Sequence, residues 1–364
     1  MNEVVIAYIT DDNYVMPTIV SITSAIMNKN ESSIYKIFVI GVSINNENKK
    51  IIEEFISKNI NDKIYLNILH FNQHYNFDDS HPYVTSAAIF KFDIANILSD
   101  YDKVLYIDCD TIILKDLTEL FKIDLNDNYA AGVIDYFPME ILKHNKNIGV
   151  ENYFNSGVML LNTKLLRENK VKEILLDYKN KNYDLFMEQD TLNYIFNNKV
   201  RFISVKYNCI INLWEDYNHE VLYNFYDYDI FKEEIVVMHL AGPKPFSKDM
   251  PYINYFYDFY YYYQYTDYFK NNPLWLINRI SEQKVKYLEN NINERLNILK
   301  TEVNKKYYEN WIKFFGIYNN KEYIFIYIFF IKFTIKINEK NINKIAWWIP
   351  FKKIRNKFRG KFLI

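Results

Sequence analysis

The sequence of 364 residues has little cysteine, little glycine and no excess of charge of either sign. Its two cysteines, Cys109 and Cys209, exclude a disulfide framework and favour a reducing compartment. The 44 basic and 45 acidic residues exclude a chain that is basic throughout, as many nucleic-acid-binding proteins are. Hydrophobic residues make up 49% of the chain, which is more than a disordered chain carries, so we expect a large folded core.

Long apolar runs are also missing. No segment approaches the roughly 20 apolar residues that a transmembrane helix requires, and the longest candidate, residues 323–331, ends at Lys332. The apolar stretch near the N-terminus, residues 4–9, is short and runs directly into Asp11 and Asp12, which is not the pattern of a signal peptide. We therefore expect a cytoplasmic protein.

The first 135 residues alternate between strand-like and helix-like segments. The predicted strands are residues 3–9, 35–42, 64–70 and 103–107, and the predicted helices are residues 17–28, 46–58 and 85–98. Farther along, helices are predicted at 163–178 and 189–197, and strands at 158–161 and 236–240. This alternation is typical of an α/β fold with a Rossmann-like, mostly parallel mixed sheet flanked by helices. Because ligands bind beyond the carboxyl ends of such strands, the polar residues that follow each strand are the most informative.

The composition changes after residue 250. Residues 252–268 are dense in Tyr and Phe. Apolar side chains at spacings of three and four then run from Leu288 to Trp311, which predicts an amphipathic helix of about 40 residues that begins near Pro273. Such a helix is either a packing element or the seam of a homo-oligomer.

The C-terminal tail, residues 344–364, carries seven basic residues, no acidic residue and several Trp and Phe side chains. This pattern favours a segment that lies on an anionic membrane surface, where each basic residue contributes about 1 kcal/mol. A solvated basic tail and a contact with nucleic acid are the alternatives, and we expect no nucleic-acid partner.

Asp108 and Asp110 flank Cys109 directly after the predicted strand at residues 103–107. Two short carboxylates at the exit of a strand can reach one hard divalent cation if the chain turns there, and Mn²⁺ or Mg²⁺ would suit them. A solvated loop or a helix cap would explain the same triplet without a metal.

His239 ends another predicted strand, and a turn with Lys244 follows it. A neutral imidazole could complete a metal site begun by the two aspartates, and Lys244 could neutralise a phosphate oxygen. A histidine whose hydrogen bonds are satisfied in the core or at the surface is the alternative interpretation.

Five segments, in this order, resemble the retaining glycosyltransferases of family 8, which include bacterial lipopolysaccharide galactosyl- and glucosyltransferases and glycogenin. They are ITDDNY (residues 9–14), YIDCD (106–110), YFNSGV (153–158), EQD (188–190) and HLAGPKPF (239–246). The resemblance spans roughly residues 3 to 247, which is about two-thirds of the chain. The resemblance implies a GT-A fold, UDP-galactose or UDP-glucose as the donor, and Mn²⁺ as the cofactor with Mg²⁺ as the alternative.

The resemblance also implies a role for each matching position. Uracil and ribose would be bound by Ile9, Thr10, Asp11, Asn13 and Tyr14. The metal ligands would be Asp108, Asp110 and His239, and the diphosphate contacts Gly242 and Lys244. Further donor contacts would come from Lys91, Cys109, Asn155 and Glu188, and the catalytic residues would be Asp135, Gln189 and Asp190. A turn at Asp135, a plain loop at 155–157 and a helix N-terminus at 188–190 are the structural alternatives.

Two positions depart from the family pattern. Ile89 falls where many members have an arginine near the donor sugar, and Lys91 is the candidate to replace it, although a lysine cannot bind in the bidentate manner of arginine. Lys244 follows His239 by five residues rather than six, and Phe246 stands in place of a tryptophan. A tighter phosphate loop is therefore expected.

The function predicted from these observations is a metal-dependent retaining hexosyltransferase that builds a cell-surface glycan, such as the core of lipopolysaccharide or lipooligosaccharide. Residues 1–250 would form the nucleotide-sugar-binding catalytic domain, and residues 251–364 a helical extension that holds the enzyme at the inner face of a bacterial cytoplasmic membrane. The expected partners are a UDP-sugar, a glycan or glycolipid acceptor and a second copy of the chain. The alternatives are an inactive membrane-bound scaffold and a nucleotidyltransferase, although the segment after the first strand is not the Gly-rich basic loop that a nucleotidyltransferase needs.

Retention of configuration allows two mechanisms. One is a double displacement through a protein nucleophile, and the other is attack on the same face of the sugar from which UDP departs. Gln189 is the position that the family alignment offers as nucleophile, and an amide is a poor one. Same-face attack is therefore favoured.

Overall fold

The computed structural model describes most of the chain, in two compact units, Met1–Gln283 and Lys284–Ile364. The described residues are 2–72, 75, 86–135, 149–150, 152–182, 186–210, 234–242, 244–246, 256–319, 322–328, 331–347, 349 and 351–362. Within these ranges, no helix combines the length and the apolar character that crossing a bilayer demands.

Among the described residues of the first unit, ten strands form two sheets. They are β1 (Asn2–Thr10), β2 (Ser33–Val42), β3 (Ile64–Phe71), β4 (Val104–Ile107), β5 (Thr111–Ile113), β6 (Ala130–Ile134), β7 (Phe154–Leu161), β8 (Val200–Phe202), β9 (Cys209–Ile210) and β10 (Val237–His239). The large sheet has the order β3-β2-β1-β4-β7-β6-β8, and the small one has the order β5-β10-β9. In the large sheet only β7 is antiparallel to its neighbours, which confirms the predicted α/β class with a mostly parallel mixed sheet.

The helices of the first unit are α1 (Val15–Met27), α2 (Asn46–Asn59), α3 (Ser86–Ile89), α4 (Ile94–Ile97), α5 (Thr118–Phe121), α6 (Thr163–Glu168), α7 (Val171–Lys181), α8 (Glu188–Ile195), α9 (Phe256–Tyr263) and α10 (Asp267–Asn271). Two predictions of single long helices are wrong. The segment predicted at 85–98 is divided by a 3₁₀ turn, Phe90–Asp93. The helix predicted at 163–178 is interrupted at Lys170, whose φ of 51° is left-handed and cannot continue a helix.

The core lies on both faces of the large sheet. Successive side chains of a strand point to opposite faces, so Val4, Ile6 and Tyr8 of β1 pack on the α1 side while Val5 and Ala7 pack on the other. All of them are fully or almost fully buried. A strand without a polar face is what a sheet covered on both sides requires.

The aromatic segment predicted at 252–268 serves mainly in packing where the structure describes it. Phe259, Tyr260 and Tyr263 of α9 are buried against Met238 of β10 and Val20 of α1. The aromatic side chains therefore pack the small sheet against α1, and so help to hold β10 in place.

A long helix, α11 (Pro273–Phe314), begins in the first unit and has the length and starting point that the sequence predicts. The second unit also holds a three-stranded antiparallel sheet that was not predicted, formed by β11 (Phe315–Asn319), β12 (Tyr323–Ile328) and β13 (Ile331–Lys336). Two helices, α12 (Glu339–Trp347) and α13 (Lys352–Phe362), complete it.

Candidate functional site

Strand pairing brings the three predicted metal ligands together. The chain between β4 and β5 carries Asp108 and Asp110. The backbone N–H of Asp108 donates to the carbonyl of Gly157 on β7 over 2.7 Å. His239 is paired with Thr111 in the antiparallel ladder between β10 and β5. Two sheets thus deliver residues that are far apart in the sequence to one point.

The geometry of this cluster fits a divalent cation. One ligand atom from each of Asp108, Asp110 and His239 lies within 4.8 Å of the others. Nε2 of His239 is 3.4 Å from Oδ1 of Asp110 and 3.9 Å from Oδ2 of Asp108. Carboxylate oxygens and imidazole nitrogen are suitable ligands for Mn²⁺. The predicted three residues therefore converge, as a metal site requires.

The orientation of the His239 ring is set by a residue that the sequence did not indicate. Nδ1 of His239 lies 2.9 Å from Oδ1 of Asn208, and an amide oxygen can only accept, so the ring proton is on Nδ1. Nε2 then presents a lone pair to the two carboxylates, as a metal-binding histidine does. Asn208 is buried and its amide group donates to Oδ1 of Asn155 over 2.8 Å.

Lys244 lies beside the cluster, as predicted for a phosphate-binding residue. Its ammonium forms a close ion pair with Asp110 and a 3.4 Å contact with the carbonyl of Leu240. Burial opposes ionisation of Asp110, but the Lys244 ammonium outweighs it and holds the pKa of this carboxyl below its usual value. The aspartate is therefore anionic and able to bind a cation.

Lys91, the predicted substitute for an arginine, is buried at the same site. Its ammonium is 2.7 Å from Oε1 of Glu188, 3.2 Å from Oδ1 of Asp108 and 3.3 Å from Oγ of Ser156. Burial favours the neutral amine, but the two carboxylates outweigh it and raise the pKa of Lys91. Tyr106 donates a close hydrogen bond to the same oxygen of Asp108. Lys91 thus joins a metal ligand to Glu188.

A cavity of about 630 Å³ opens in front of these residues. Its walls are Ile9, Asp11, Asn13, Tyr14, Ala87, Ala88, Lys91, Tyr106, Asp108, Cys109, Asp110, Met187, Glu188, Gly242 and Lys244. Eleven of these were predicted as donor or metal contacts from the sequence. The volume is that of a typical small-molecule pocket.

The loop after β1 and the loop after β10 close one end of this cavity. Oδ1 of Asp11 accepts a hydrogen bond from the backbone N–H of Asn13, which forms a tight turn. The ring of Tyr14 contacts that of Phe246 edge-on, with 5.7 Å between centroids. Thr10, in contrast, is buried and accepts a hydrogen bond from Thr18, so it supports the loop rather than forming part of the described wall.

A buried network of amides continues from Asn208. Asn155 donates to Oδ2 of Asp135 over 3.0 Å, and Gln189 donates to the same oxygen over 3.1 Å. Oε1 of Gln189 accepts the backbone N–H of Ser156. The predicted residues Asp135, Asn155 and Gln189 are thus in one hydrogen-bonded group behind the described wall of the cavity.

Asp190, the remaining predicted catalytic residue, is also buried. It accepts hydrogen bonds from the Tyr153 hydroxyl over 2.6 Å and from the backbone N–H of Phe186 over 2.9 Å. These contacts fix the chain that leads into α8. The residues described as lining the cavity do not include Asp190.

Gly157 and Met187 contribute to the site in ways that the sequence only partly indicated. A Cβ at Gly157 would clash with the His239 ring and would lie 2.9 Å from Oδ2 of Asp108. Met187 lines the cavity with a φ of 56° and a ψ of −139°, a conformation rarely adopted by a non-glycine residue. The glycine was inside a recognised segment, whereas Asn208 and Met187 lie outside all five and give no local signal.

Known proteins with similar sequences include glycosyltransferases. The sequence profile of glycosyl transferase family 8 matches residues 5–249. A protein of Haemophilus influenzae, named provisionally as a glycosyltransferase, is 28% identical over 251 residues, which cover 65% of this chain and 71% of that protein. The lipopolysaccharide 1,3-galactosyltransferase of Salmonella typhimurium is 31% identical over 169 residues, 44% of this chain and 48% of that protein. The lipopolysaccharide 1,2-glucosyltransferase of Escherichia coli is 28% identical over 151 residues, 39% of this chain and 43% of that protein. This chain therefore spans less than half the length of the two lipopolysaccharide enzymes.

Solved structures show the same fold. The galactosyltransferase LgtC, crystallised with donor and acceptor sugar analogues, has a TM-score of 0.59 and 22% identity and covers 72% of this chain and 95% of its own. The apo bifunctional glycosyltransferase WbbM has a TM-score of 0.62 and 20% identity and covers 76% of this chain and 51% of its own. At this level of identity the comparison concerns the fold alone, and it confirms the predicted GT-A architecture.

Proposed function

Because the chain belongs to glycosyl transferase family 8, and is thus a glycosyltransferase as the sequence predicted, we propose that it transfers galactose or glucose from a UDP-sugar to a glycan acceptor such as the core of lipopolysaccharide. The observation that supports this donor class best is the convergence of Asp108, Asp110 and His239 at the edge of a cavity with Lys244 beside it. Such a group of charges suits a metal-bound diphosphate.

The metal would be held by Asp108, Asp110 and His239, with Mn²⁺ as the preferred ion. A bound divalent cation neutralises charge on the departing UDP. Asn208 keeps the imidazole in the ligating tautomer, and Asp110 stays anionic because of its neighbours. Lys244 adds a fixed positive charge where the diphosphate would lie, which stabilises the charge that develops as the sugar–phosphate bond breaks.

The nucleoside would occupy the end of the cavity formed by Asp11, Asn13 and Tyr14. Carboxylate and amide groups can recognise the edge of uracil, and the Tyr14 ring can stack on it. Burial raises the pKa of Tyr14 to about 12, so its hydroxyl stays protonated and can donate a hydrogen bond at neutral pH.

The donor sugar would meet Lys91 and Glu188. Oε1 of Glu188 is paired with Lys91, while Oε2 is buried and accepts no hydrogen bond from the described part of the chain. A buried carboxylate oxygen without a partner is costly, so a sugar hydroxyl that donates to it would be favoured. Lys91 holds this carboxylate in place beside Asp108.

Same-face attack is the mechanism that this arrangement supports. Both ends of the Gln189 amide are hydrogen-bonded within the protein, to Asp135 and to the backbone of Ser156. Asp190 accepts two hydrogen bonds, and Glu188 is paired with Lys91. A side chain so engaged is poorly placed to attack an anomeric carbon, so the leaving phosphate would take the proton of the acceptor hydroxyl.

The C-terminal helices α12 and α13 would contact the anionic inner face of the cytoplasmic membrane. Trp347 and Phe351 are 69% and 67% exposed, and Ile354 is also exposed. The basic residues of this region are Lys344, Lys352, Lys353, Arg355, Lys357, Arg359 and Lys361. Exposed aromatic rings among cations suit the headgroup region. Trp348, another of the predicted aromatic contacts, lies outside the described residues.

The proposed donor is tested by a panel of UDP-sugars, scored for hydrolysis and transfer with and without Mn²⁺. We expect one UDP-hexose to be turned over in a metal-dependent manner and Asp110→Asn to abolish turnover. UDP with Mn²⁺ should raise the melting temperature more than either alone, because linked binding stabilises the folded state. Asp127→Asn, an exposed aspartate elsewhere in the unit, is the matched control. Full turnover by Asp110→Asn would refute the metal assignment, and a protein that binds no UDP would be the inactive scaffold.

The membrane contact is tested by vesicle sedimentation with the full-length chain. Lys352→Glu combined with Arg355→Glu should reduce binding to phosphatidylglycerol vesicles without changing hydrolysis of the UDP-sugar. Lys49→Glu with Lys50→Glu, a half-buried and an exposed lysine of α2, reverses the same amount of charge and serves as the control. Equal vesicle binding by all three proteins would refute the contact.

A further inference from the structure

The long helix α11 is uncovered over most of the part whose side chains the structure describes. From residue 281 to residue 302, every side chain that the structure describes is exposed, apart from the half-buried Asn291. Among the described side chains of α11, only Leu276, near its start, is buried. A helix in water draws most of its stability from the packing of an apolar face, so this part of α11 is expected to have a partner.

The exposed apolar residues form one stripe. Its members are Val285, Leu288, Ile292, Leu296 and Leu299, each between 45 and 56% exposed. Their spacings are three, four, four and three, which is an 11-residue repeat, because Val285 and Leu288 recur as Leu296 and Leu299. An 11-residue repeat keeps a stripe nearly straight on a helix and is the pattern of a right-handed coiled coil.

We propose that this stripe is the interface of a homodimer, in which α11 of a second copy packs antiparallel against it. The stripe from Val285 to Leu299 is about 21 Å long at 1.5 Å per residue. In the antiparallel arrangement, apolar side chains of the two copies alternate along the seam and interdigitate. This inference does not depend on the proposed donor or acceptor.

Charge selects the direction of pairing. Glu289 and Lys300 lie 11 residues apart on the same edge of the stripe. An antiparallel pair brings this edge of one copy against the same edge of the other, and a two-fold axis between residues 294 and 295 then places Glu289 opposite Lys300 twice. In a parallel pair this edge would instead meet the other edge of the partner, so Glu289 and Lys300 would not face each other. Arg295, on the other edge near that axis, has a long side chain that can extend into solvent.

The same charges disfavour a membrane as the occupant. Residues 285–302 carry three basic and three acidic residues, so the helix offers no net attraction to an anionic surface. An interfacial helix would have a strongly basic polar face. A second copy, in contrast, matches both the repeat and the charge pattern.

Sedimentation velocity of the full-length protein, over loading concentrations from about 1 to about 200 μM, tests the dimer. We expect a concentration-dependent monomer–dimer equilibrium that Leu296→Asp weakens at least tenfold. Ile298→Asp is the matched control, because Ile298 is 53% exposed and lies on the opposite side of the helix. Circular dichroism should show that both variants fold, and turnover per chain should be unchanged in both.

Charge exchange then tests the direction. Glu289→Lys should weaken the dimer, because the new lysine of each copy would then face Lys300 of the other copy. The double variant Glu289→Lys with Lys300→Glu restores the opposite charges and should restore the dimer. A protein that remains monomeric at all concentrations, or a dimer that Leu296→Asp leaves intact, overturns the proposal. A dimer that Glu289→Lys does not weaken also overturns the proposal. The same holds for a monomer that binds vesicles and loses this binding in Leu296→Asp.

Discussion

The Nδ1–H of His239 donates to Oδ1 of Asn208 over 2.9 Å, and this contact sits at the junction of two groups of residues. On one side are the carboxylates of Asp108 and Asp110. On the other, Asn208 continues through Asn155 to Asp135. The ring orientation of a proposed metal ligand is therefore determined by the same buried amide that positions the predicted catalytic group.

Asn208→Leu should weaken Mn²⁺ binding by about 10- to 100-fold, because the loss of an outer hydrogen bond frees the ring and its tautomer. Titration of Mn²⁺ by electron paramagnetic resonance measures this directly, without turnover. Asn28→Leu is the control, since Asn28 is also a hydrogen-bonded asparagine, although it is only half-buried, with Tyr262 and Ile113 as partners. Equal Mn²⁺ affinity in the two variants would show that Asn208 has no such role.

Gly157→Ala should abolish Mn²⁺ binding while the chain still folds. The added methyl group would clash with the His239 ring and would lie 2.9 Å from both Asn155 Oδ1 and Asp108 Oδ2, so the ligands must move apart. Gly360→Ala is a control with open space around the new methyl group. Mn²⁺ titration together with thermal unfolding distinguishes loss of the site from loss of the fold, and unchanged affinity would contradict the expectation.

Lys91→Met should destabilise the protein by about 3–5 kcal/mol, because it leaves the buried carboxylate of Glu188 without its counter-charge. Urea unfolding measures the change. Glu188→Gln added to Lys91→Met removes the uncompensated charge and should recover much of the loss. The surface pair of Lys58 with Asp267 provides the comparison, and Lys58→Met should have little effect. If Lys91→Met were as stable as the parent, the pairing would be unimportant.

Asp116 should make stability depend on pH in the acid range. Burial opposes its ionisation, but hydrogen bonds from the side chain of Thr118 and from the backbone N–H groups of Asn30 and Thr118 outweigh it and lower the pKa of Asp116. Its contribution is therefore complete above the unfolded pKa of about 3.9 and is lost as the pH falls through the lower folded value.

Asp116→Asn should accordingly be less stable than the parent at pH 7 by about 1 kcal/mol, and the difference should shrink near pH 3. Urea unfolding at the two pH values measures it, and the exposed Asp127→Asn should show no such trend. A difference for Asp116→Asn that is the same at both pH values would refute the assignment.

The large sheet and its helices could be predicted where periodicity is local. The strand predicted at 35–42 is observed as β2, and the helix predicted at 46–58 is observed as α2, because each buries a continuous or one-sided set of apolar residues. The break at Lys170 could not be predicted, since a lysine carries no signal for a left-handed conformation. The short strands β5, β9 and β10 depend on pairing between distant segments, and only β10 could be predicted, from its apolar run.

For the candidate site, the sequence was most informative where charged residues follow a strand. Asp108, Asp110 and Lys244 were predicted from their position, and the structure places them together. Asn208 was not found, because it lies far from every motif and acts through His239 rather than toward the cavity. Residues that support others are seldom visible in a single sequence, since their chemistry is ordinary and only their neighbours make them important.

The order of synthesis has a consequence for this enzyme. Lys244 and Asp110 are 134 residues apart in the chain, and β10, which delivers the histidine, is the last strand among the described residues of the first unit. A nascent chain can form β1 to β4 on the ribosome, but contacts between such distant segments form late. The growing polypeptide therefore cannot bring Lys244 to Asp110 until nearly the whole unit has emerged.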